Sequence, residues 1–424
     1  MKLCLENIGK IRSASVEING ITVIAGENNT GKSTVGKALF AVFNSFYNIE
    51  RKIVNERVSS IENQLMAMHR NLSDIFLRDY DTAELANNII SNAKKAQSSE
   101  EEIKKIILET IEHYDEKVVS DVSETEMSEA LERIVTILKV SDDDIFRTVL
   151  QRKLDAEFNK QISNVYLDGE SVIQIDIRNE QIGVKIRDNK VICIDKRLNL
   201  GTEAIYIDDP FVLDEVSARI WKMNTHYADH RTHLKEKLYC NRRDPNVVEE
   251  IVAKSKFDYI YSKVSAVCEG DVVAGKQAML GYRIADSDKL LDVKNLSTGL
   301  KTFAILKKLL LNGYIEYNGT IILDEPEIHL HPEWQLLFAE LIVLLHREFG
   351  LHILLNTHSP YFLNAIEVYA AKYGVDDKCK YYLARDIDNV SNVEDVSNNI
   401  EKIYSKLARP LQDLENERYR YDKT

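Results

Sequence analysis

The sequence contains few cysteines and has no long apolar run. Its five cysteines are scattered and form no CxxC pair, which disfavours a disulfide scaffold and predicts reduced thiols. No run of about 18 apolar residues occurs, so we expect no membrane span. The first residues, MKLCLENIGK, have no apolar signal core. These absences together predict a cytoplasmic protein that has no membrane partner.

Glycine and proline are also scarce, with 16 and 6 positions, so we expect few loops and mostly helices. A chain of 424 residues is too long for one ordinary core and predicts two or three structural units. The net charge of −13 disfavours a general affinity for nucleic acid, because that affinity rests on Lys and Arg neutralising phosphates. A local basic patch remains an alternative.

The first half of the chain changes from a strand pattern to a helix pattern. Apolar and polar residues alternate in residues 2–25, which predicts three short strands. A helix is predicted directly after Gly31. Residues 50–162 are helical in character, and we expect a helical hairpin or bundle, because the heptads that a long coiled coil requires are not sustained.

The second half contains both patterns. Residues 164–207 contain β-branched runs separated by turn residues, which predicts an antiparallel meander. Residues 212–267 have a helical pattern, and residues 279–372 alternate between strands and helices. The tail after residue 372 is predicted to form one or two helices.

The segment GENNTGKST, residues 26–34, fits the phosphate-binding pattern G-x-x-x-x-G-K-[ST] between a predicted strand and a predicted helix. Glycines let backbone N–H groups approach phosphate oxygens, and the helix N-terminus attracts the same anion. We expect Lys32 to reach the β- and γ-phosphates and Ser33 to ligate Mg²⁺. The predicted nucleotide-binding residues of this loop are Gly26, Asn28, Asn29, Thr30, Gly31, Lys32, Ser33 and Thr34.

Two later strands end in polar residues suited to phosphoryl transfer. TIILDEP ends a strand at Asp324, which is expected to hold Mg²⁺, and Glu325 follows in position to orient or deprotonate the attacking water. LLNTHSP ends another strand at His358, and ligands bind at the carboxyl ends of strands in an open parallel sheet. We therefore predict that Lys32, Glu325 and His358 act in catalysis.

The segment NLSTGLK, residues 295–301, predicts a second anion seat, because a Ser–Thr–Gly turn opens a helix there. One nucleotide does not need two such seats from one chain. We therefore expect Ser297 and Gly299 to face the nucleotide of a second subunit, so that two chains enclose two nucleotides.

Other histidines support weaker metal-site alternatives, which we rank below structural roles. The two sets are His329 with His331, and His226, His230 and His233 beside Asp229.

Taken in order, the four motifs resemble those of the ABC-type ATPase heads of the SMC, RecF and OLD families. The DEPEIHLHP and THSP segments are most similar to the OLD-like AAA ATPases of bacterial anti-phage systems such as Septu. The resemblance covers residues 1–48 and 279–372. It implies an α/β head with a mixed sheet, flanking helices and an antiparallel β subdomain. It also implies ATP, Mg²⁺, a head-to-tail homodimer or higher homo-oligomer, and Ser297 acting in trans.

The resemblance also assigns the domains. The predicted head comprises residues 1–48, 164–211 and 279–424, the helical insertion 49–163, and a second helical segment 212–278. The glutamine loop of such heads is not evident, and AIYIDDPF is a weak candidate for it, with Asp208 or Asp209 near the metal.

Two departures from the family pattern restrict the function. The signature LSTGLK differs from the LSGGQ of transporters, which argues against a transporter motor. The tail is too short for the C-terminal Toprim domain of OLD nucleases, so we expect no nuclease in this chain. Its acidic residues are Asp386, Asp388, Glu394 and Asp395.

The function predicted from these observations is an ATP-hydrolysing dimer that regulates a separate effector protein, such as a nuclease, in defence against phage. One alternative is a DNA-repair or chromosome-maintenance ATPase that clamps DNA, which the acidic charge disfavours. Another is a scaffold that binds ATP tightly and turns it over slowly.

Overall fold

The computed structural model describes residues 1–69, 82–95, 100–114, 124–217, 227–241, 247–275, 279–284, 287 and 289–421. The chain divides into two compact units, of which the first comprises Met1–Tyr47 and Leu150–Thr424 and the second Asn48–Val149. The predicted second helical segment, 212–278, falls within the first unit.

The secondary structure alternates between strands and helices. The strands are β1 (Lys2–Ile8), β2 (Ile11–Glu17), β3 (Ile21–Ala25), β4 (Ser171–Ile177), β5 (Glu180–Arg187), β6 (Lys190–Ile194), β7 (Ala204–Ile207), β8 (Asp271–Ala274), β9 (Leu280–Arg283), β10 (Leu291–Asp292), β11 (Thr320–Asp324), β12 (His352–Thr357), β13 (Cys379–Ile387) and β14 (Val390–Asp395). The helices are α1 (Lys32–Phe46), α2 (Ile49–His69), α3 (Thr82–Lys95), α4 (Glu100–Tyr114), α5 (Glu124–Lys139), α6 (Asp142–Phe158), α7 (His230–Tyr239), α8 (Val247–Ser265), α9 (Thr298–Leu311), α10 (Pro332–Phe349), α11 (Pro360–Tyr373), α12 (Glu401–Leu407) and α13 (Arg409–Tyr421).

One large sheet organises the first unit. In the described part of the chain it has eleven strands in the order β6-β5-β4-β1-β2-β14-β13-β3-β12-β11-β7, and β8, β9 and β10 form a smaller sheet. Strands β13, β3, β12, β11 and β7 are parallel neighbours, whereas β1, β2, β4, β5 and β6 pair antiparallel. This mixed sheet with flanking helices confirms the predicted α/β fold class.

The parallel strands end together at one edge of the sheet. Asp324 of β11 lies opposite Asn356 of β12, and Thr357 lies opposite Ala25 of β3. The side chains of β3 are all buried, because apolar residues on both faces are covered in a parallel sheet. The loops that follow these strands carry the predicted motifs, so the register of the sheet brings the motifs to the same edge.

Two-residue turns explain the antiparallel part. Arg178 and Asn179 join β4 to β5 with positive φ angles of 51° and 67°, and Asp188 and Asn189 join β5 to β6 with 51° and 62°. Positive φ at both central residues is typical of the hairpin turn whose twist matches paired strands. The predicted meander is therefore correct for residues 171–194.

The meander prediction is wrong at its two ends. Residues 165–170 form no strand in the described structure. Strand β7, predicted as the last strand of the meander, instead pairs parallel with β11 at the opposite end of the sheet. The physical reason is that all four side chains of β7 are buried, which suits a parallel strand between helices rather than a half-exposed hairpin strand.

The prediction of one or two helices after residue 372 is confirmed by α12 and α13, but it missed the two strands that precede them. Strands β13 and β14 form a hairpin through Asp388 and Asn389, which have φ angles of 53° and 67°, before α12 and α13. The hairpin lies within the main sheet, where β13 pairs with β3 and β14 with β2. Buried apolar residues of β13 therefore outweigh the polar composition of the tail.

The second unit contains α2, α3, α4 and α5 around an apolar core of its own. The helical character predicted for residues 50–162 is confirmed for the described residues up to Phe158, apart from the break at 140–141, whereas residues 159–162 are not helical. Fully buried members of this core are Ile61, Ala86, Ile89, Ile107 and Ile134.

Candidate nucleotide-binding site

The loop of residues 26–34 joins β3 to α1 in a conformation that needs glycine. Gly31 precedes the helix with φ 79°, and a Cβ there would lie 2.6 Å from Ile11 Cδ1. A Cβ on Gly26 would lie 2.7 Å from the backbone oxygen of Ala384 in β13. Asn29 has φ 63°, which asparagine tolerates better than most residues. Tight packing against β2 and β13 therefore fixes the shape of the loop.

Lys32, the first residue of α1, is 4% exposed. Its Nζ donates hydrogen bonds to the backbone oxygens of Gly26 and Glu27, each at 2.9 Å. The same Nζ lies 3.2 Å from Glu325 Oε1. The ammonium group is therefore held at the centre of the loop, beside the acidic residue that follows β11.

Two neighbours orient Asp324 at the end of β11. Tyr206 donates its hydroxyl to Asp324 Oδ2 at 2.8 Å, and Asn356 donates its amide to Asp324 Oδ1 at 2.9 Å. Burial, together with the charge of Asp324, raises the pKa of Tyr206 well above its ordinary value, so the tyrosine stays a neutral donor. These bonds fix the carboxylate in one orientation.

Glu325 has a strained backbone, with φ 50°, and its N–H donates to the backbone oxygen of Asn356 at 2.9 Å. Its Oε1 lies 3.3 Å from His358 Nδ1. A positive φ at a glutamate is uncommon, and such strain clusters at functional sites. The turn thus aims Glu325 back towards Lys32 and His358.

Sequence reasoning did not identify Glu327 as part of this site. The residue is 2% exposed, and its Oε1 accepts a hydrogen bond from the hydroxyl of Thr357. Its Oε2 is buried without a hydrogen-bond partner among the described residues. Burial raises the pKa of Glu327 above its ordinary value, although the bond from Thr357 opposes this. The signal in the sequence was its position in DEPEIHLHP, two residues after Glu325.

The loop and the strand ends enclose a cavity of about 440 Å³. Gly26 is not among its lining residues, although the other predicted loop residues are. Lys10, Asp208 and Ile328 also line it, and of these the sequence pointed only to Asp208, as a weak candidate. The lining residues are Lys10, Asn28, Asn29, Thr30, Gly31, Lys32, Ser33, Thr34, Asp208, Asp324, Glu325 and Ile328.

Ser33 and Asp324 both line this cavity, as the prediction of a Mg²⁺ site requires. Hydroxyl, carboxylate and amide oxygens are the ligands that Mg²⁺ prefers. Asp208 also lines the cavity, and within the described structure its Oδ1 is buried without a hydrogen-bond partner, which is rare unless a ligand or water satisfies the oxygen. The residues present therefore fit a hydrated magnesium ion.

Asp208 follows β7 and is held by two cationic side chains of α7. His230 Nε2 and Arg231 Nε lie 3.1 Å and 2.9 Å from Asp208 Oδ2. Burial alone would raise the pKa of Asp208, but His230 and Arg231 outweigh it and lower the pKa to about 2. Burial would likewise lower the pKa of His230, but Asp208 and Glu157 raise it to about 9. Asp208 and His230 are therefore an ion pair at neutral pH.

His233 belongs to a neighbouring buried group. Its Nε2 lies 2.9 Å from Glu203 Oε2, and Lys237 Nζ lies 2.9 Å from Glu203 Oε1. Burial and the nearby charge of Lys237 lower the pKa of His233 to about 4. No group of three or more His, Cys, Asp or Glu side chains that could hold a metal such as zinc occurs among the described residues, and His226 lies outside those residues. The zinc alternative therefore has no support from His230 and His233.

Ser297 and Gly299 line a different cavity, of about 480 Å³, at the start of α9. Ser297 caps this helix, since its Oγ accepts a hydrogen bond from Leu300 N at 3.4 Å. A Cβ on Gly299 would lie 3.1 Å from the Trp334 ring. The structure therefore brings together the residues of the first loop, β11 and β12, but not Ser297 and Gly299. The lining residues of this second cavity are Ser297, Thr298, Gly299, His329, His331 and Trp334.

Among the helices that the structure describes, none is long and apolar enough to cross a membrane.

Comparison with known proteins gives one family match and several matched structures. A family model described as AAA ATPase domain matches residues 1–363.

Among solved structures, the SMC head domain from Thermotoga maritima is 11% identical, with a TM-score of 0.38, and the match covers 93% of this chain and 98% of that one. An SMC head bound to the C-winged helix domain of ScpA is 11% identical, with a TM-score of 0.41, and the match covers 95% and 98%. An SMC head with an extended coiled coil, bound to the C-terminal domain of ScpA derived from Pyrococcus furiosus, is 12% identical, with a TM-score of 0.34 and coverage of 98% and 98%.

Proposed function

Since the chain belongs to the AAA ATPase domain family, we propose that it binds ATP together with Mg²⁺ and hydrolyses the bond between the β- and γ-phosphates. One observation carries the proposal. Lys32, Ser33, Asp324 and Glu325 line one cavity, although they come from distant parts of the sequence. Phosphoryl transfer needs this set, because catalysis there consists of positioning and charge stabilisation.

We assign each of these side chains a role. Lys32 binds the β- and γ-phosphates, where its charge offsets that of the transferred group. Glu325 accepts a proton from the attacking water, and His358, whose Nδ1 lies 3.3 Å from Glu325 Oε1, acts on the same water. Ser33 and Asp324 would hold Mg²⁺, which neutralises phosphate charge when bound.

The proposal includes a head-to-tail homodimer or a higher homo-oligomer. This arrangement is supported by the separation of the two anion-binding sites, since Ser297 and Gly299 line one cavity and Lys32 lines another. A helix N-terminus capped by serine suits a phosphate. The N-terminus of α9 in one copy then covers the nucleotide held by residues 26–34 of the other.

We also propose that ATP hydrolysis regulates a separate effector protein, such as a nuclease, in the cytoplasm during defence against phage. It is supported by the resemblance of DEPEIHLHP and THSP to OLD-like ATPases. The net charge of −13 favours a protein effector over direct clamping of DNA.

The proposal is tested by steady-state ATP hydrolysis with wild-type protein and Glu325→Gln. We expect the variant to bind ATP and to lose at least about 100-fold in turnover, because a positioned base contributes about 10²–10⁴-fold. Glu401→Gln, an exposed carboxylate of α12, should behave as wild type. Equal and negligible turnover in wild type and Glu325→Gln would contradict hydrolysis and favour an ATP-binding scaffold. A steep salt-dependent affinity for duplex DNA would favour a DNA clamp.

A further inference from the structure

Asp208 lies beside Asp324 because of the sheet register. Strand β7 pairs parallel with β11, and Ile207 lies opposite Leu323, so the next residue of each strand is an aspartate at the same edge. Both aspartates line the 440 Å³ cavity that contains Lys32 and Ser33. Asp209 is not among the described residues that line it. The sequence therefore places a second carboxylate at the nucleotide site, and its neighbour Asp209 provides a matched comparison.

Among the described residues, only one of the two carboxylate oxygens of Asp208 has a partner. His230 and Arg231 both approach Oδ2. Oδ1 is buried and accepts no hydrogen bond from any residue that the structure describes. A buried acceptor without a hydrogen-bond donor destabilises the fold, and a bound cation or its water would satisfy it.

His230, which contacts Asp208, is itself held in place by other residues. His230 Nδ1 lies 2.8 Å from Glu157 Oε2, and the His230 backbone N–H donates to Glu157 Oε1 at 2.6 Å. The His230 ring stacks on Tyr206 at 4.2 Å between centroids, and Tyr206 donates to Asp324. One rigid set of contacts thus sets the positions of both carboxylates, as a preorganised metal site requires.

We propose that Asp208 is a third protein contact for the magnesium ion of bound MgATP, made through Oδ1 directly or through one of the ion's waters. His230 and Arg231 are positioning residues that hold Asp208 for this contact. The inference rests on the proposed binding of MgATP and adds a residue to it. His230 and Arg231 lie against Oδ2, and Oδ1 would repel the phosphate oxygens unless a cation lay between them.

The experiment measures binding rather than turnover. The affinity of wild type and Asp208→Asn for a fluorescent, non-hydrolysable ATP analogue is measured across a Mg²⁺ titration and in EDTA. We expect Asp208→Asn to need roughly tenfold more Mg²⁺ for half-maximal affinity, the effect of losing about 1.4 kcal/mol of cation binding. In EDTA its affinity should be equal to or tighter than that of wild type, because one negative charge is removed.

Asp209→Asn is the matched control. Asp209 also pairs with Arg231, at 2.6 Å, so its substitution disturbs the same arginine without changing the cavity lining. We expect its Mg²⁺ requirement to equal that of wild type. Equal Mg²⁺ curves for Asp208→Asn and wild type, or equal shifts in both variants, would overturn the inference.

Two further variants complete the design. If Asp208→Asn does not fold, Asp208→Glu keeps the charge and moves the oxygens by one methylene, and an unshifted Mg²⁺ curve would overturn the inference equally well. Lys32→Ala tests the proposed function separately. Failure of wild type to bind the analogue, or binding unaffected by Lys32→Ala, would contradict the nucleotide site itself, whatever Asp208 does.

Discussion

Lys32 Nζ lies 3.2 Å from Glu325 Oε1, although one residue follows β3 and the other follows β11. The same carboxylate oxygen lies 3.3 Å from His358 Nδ1. One oxygen therefore faces both an ammonium group and an imidazole. Because groups that share a partner are energetically coupled, we expect the effects of substitutions at these three residues to be non-additive.

Lys32→Met should weaken the binding of a non-hydrolysable ATP analogue by roughly 100-fold, because a hydrogen bond to a charged group contributes about 1.5–3 kcal/mol. Isothermal titration calorimetry measures the change. Lys37→Met is the control, since Lys37 lies on the same helix and is not among the described residues that line the cavity. Equal affinities of the two variants would contradict the assignment of Lys32 to the phosphates.

Ser297→Arg should prevent dimerisation driven by ATP, because a long cation would occupy the start of α9, where we place the partner's phosphate. Light scattering after size exclusion, in a Glu325→Gln background with ATP and Mg²⁺, measures the mass. The substitution also removes a helix cap worth about 1 kcal/mol, so Ser297→Asn, which preserves a cap, is the control and should still dimerise. A dimer that forms without nucleotide and tolerates Ser297→Arg would exclude the trans arrangement.

The nucleotide loop was predictable because its chemistry is local in sequence. Gly26, Gly31, Lys32 and Ser33 lie within nine positions, and the flanking strand and helix patterns fix where the loop lies. The chain order of the motifs then indicated which strand ends must meet. The distance between Lys32 and Glu325 could not be predicted in the same way, since it depends on the φ of 50° at Glu325.

The tail shows why other parts were missed. The pair Asp388–Asn389 makes the same kind of turn as Asp188–Asn189, which the sequence did indicate. The CKYYLA segment of β13 supplies a buried face, which marks a strand rather than the predicted helix. This hairpin matters for the site, because Ala384 lies against Gly26. A long-range contact of this kind depends on sheet order, which local patterns do not specify.

The pKa of His230 predicts a loss of stability at alkaline pH. A histidine whose pKa rises from 6.5 to about 9 on folding contributes stability that is fully present below pH 6.5 and is lost as pH rises through 9. At about 1.36 kcal/mol per pKa unit, the contribution is on the order of 3 kcal/mol. His230→Gln should therefore flatten the decline in the free energy of unfolding between pH 6.5 and 9, measured by urea denaturation.

His233→Gln is the control for this pH effect. Its pKa is lowered to about 4, so His233 is neutral above pH 7 in both the folded and the unfolded chain. The contribution of His233 to the free energy of unfolding changes only between about pH 4 and 6.5, where that free energy falls as pH falls. Its substitution should leave the slope from pH 7 to 9 as in wild type. A flattened slope in both variants would show that the ion pair of His230 with Asp208 and Glu157 is not the cause.

The second compact unit offers a test of its own core. Ile107 of α4 is fully buried, whereas Ile103, one turn earlier on the same helix, is only partly buried against that core. Ile107→Ala should lower the free energy of unfolding of the Asn48–Val149 unit by about 2–5 kcal/mol, because it removes buried methyl groups and leaves a cavity. Hydrogen exchange of the backbone amides in α2–α5 measures the loss in the full-length protein. Ile103→Ala should have a clearly smaller effect, since part of its side chain already contacts water. Equal effects of the two substitutions would contradict the burial that the structure assigns to this helix.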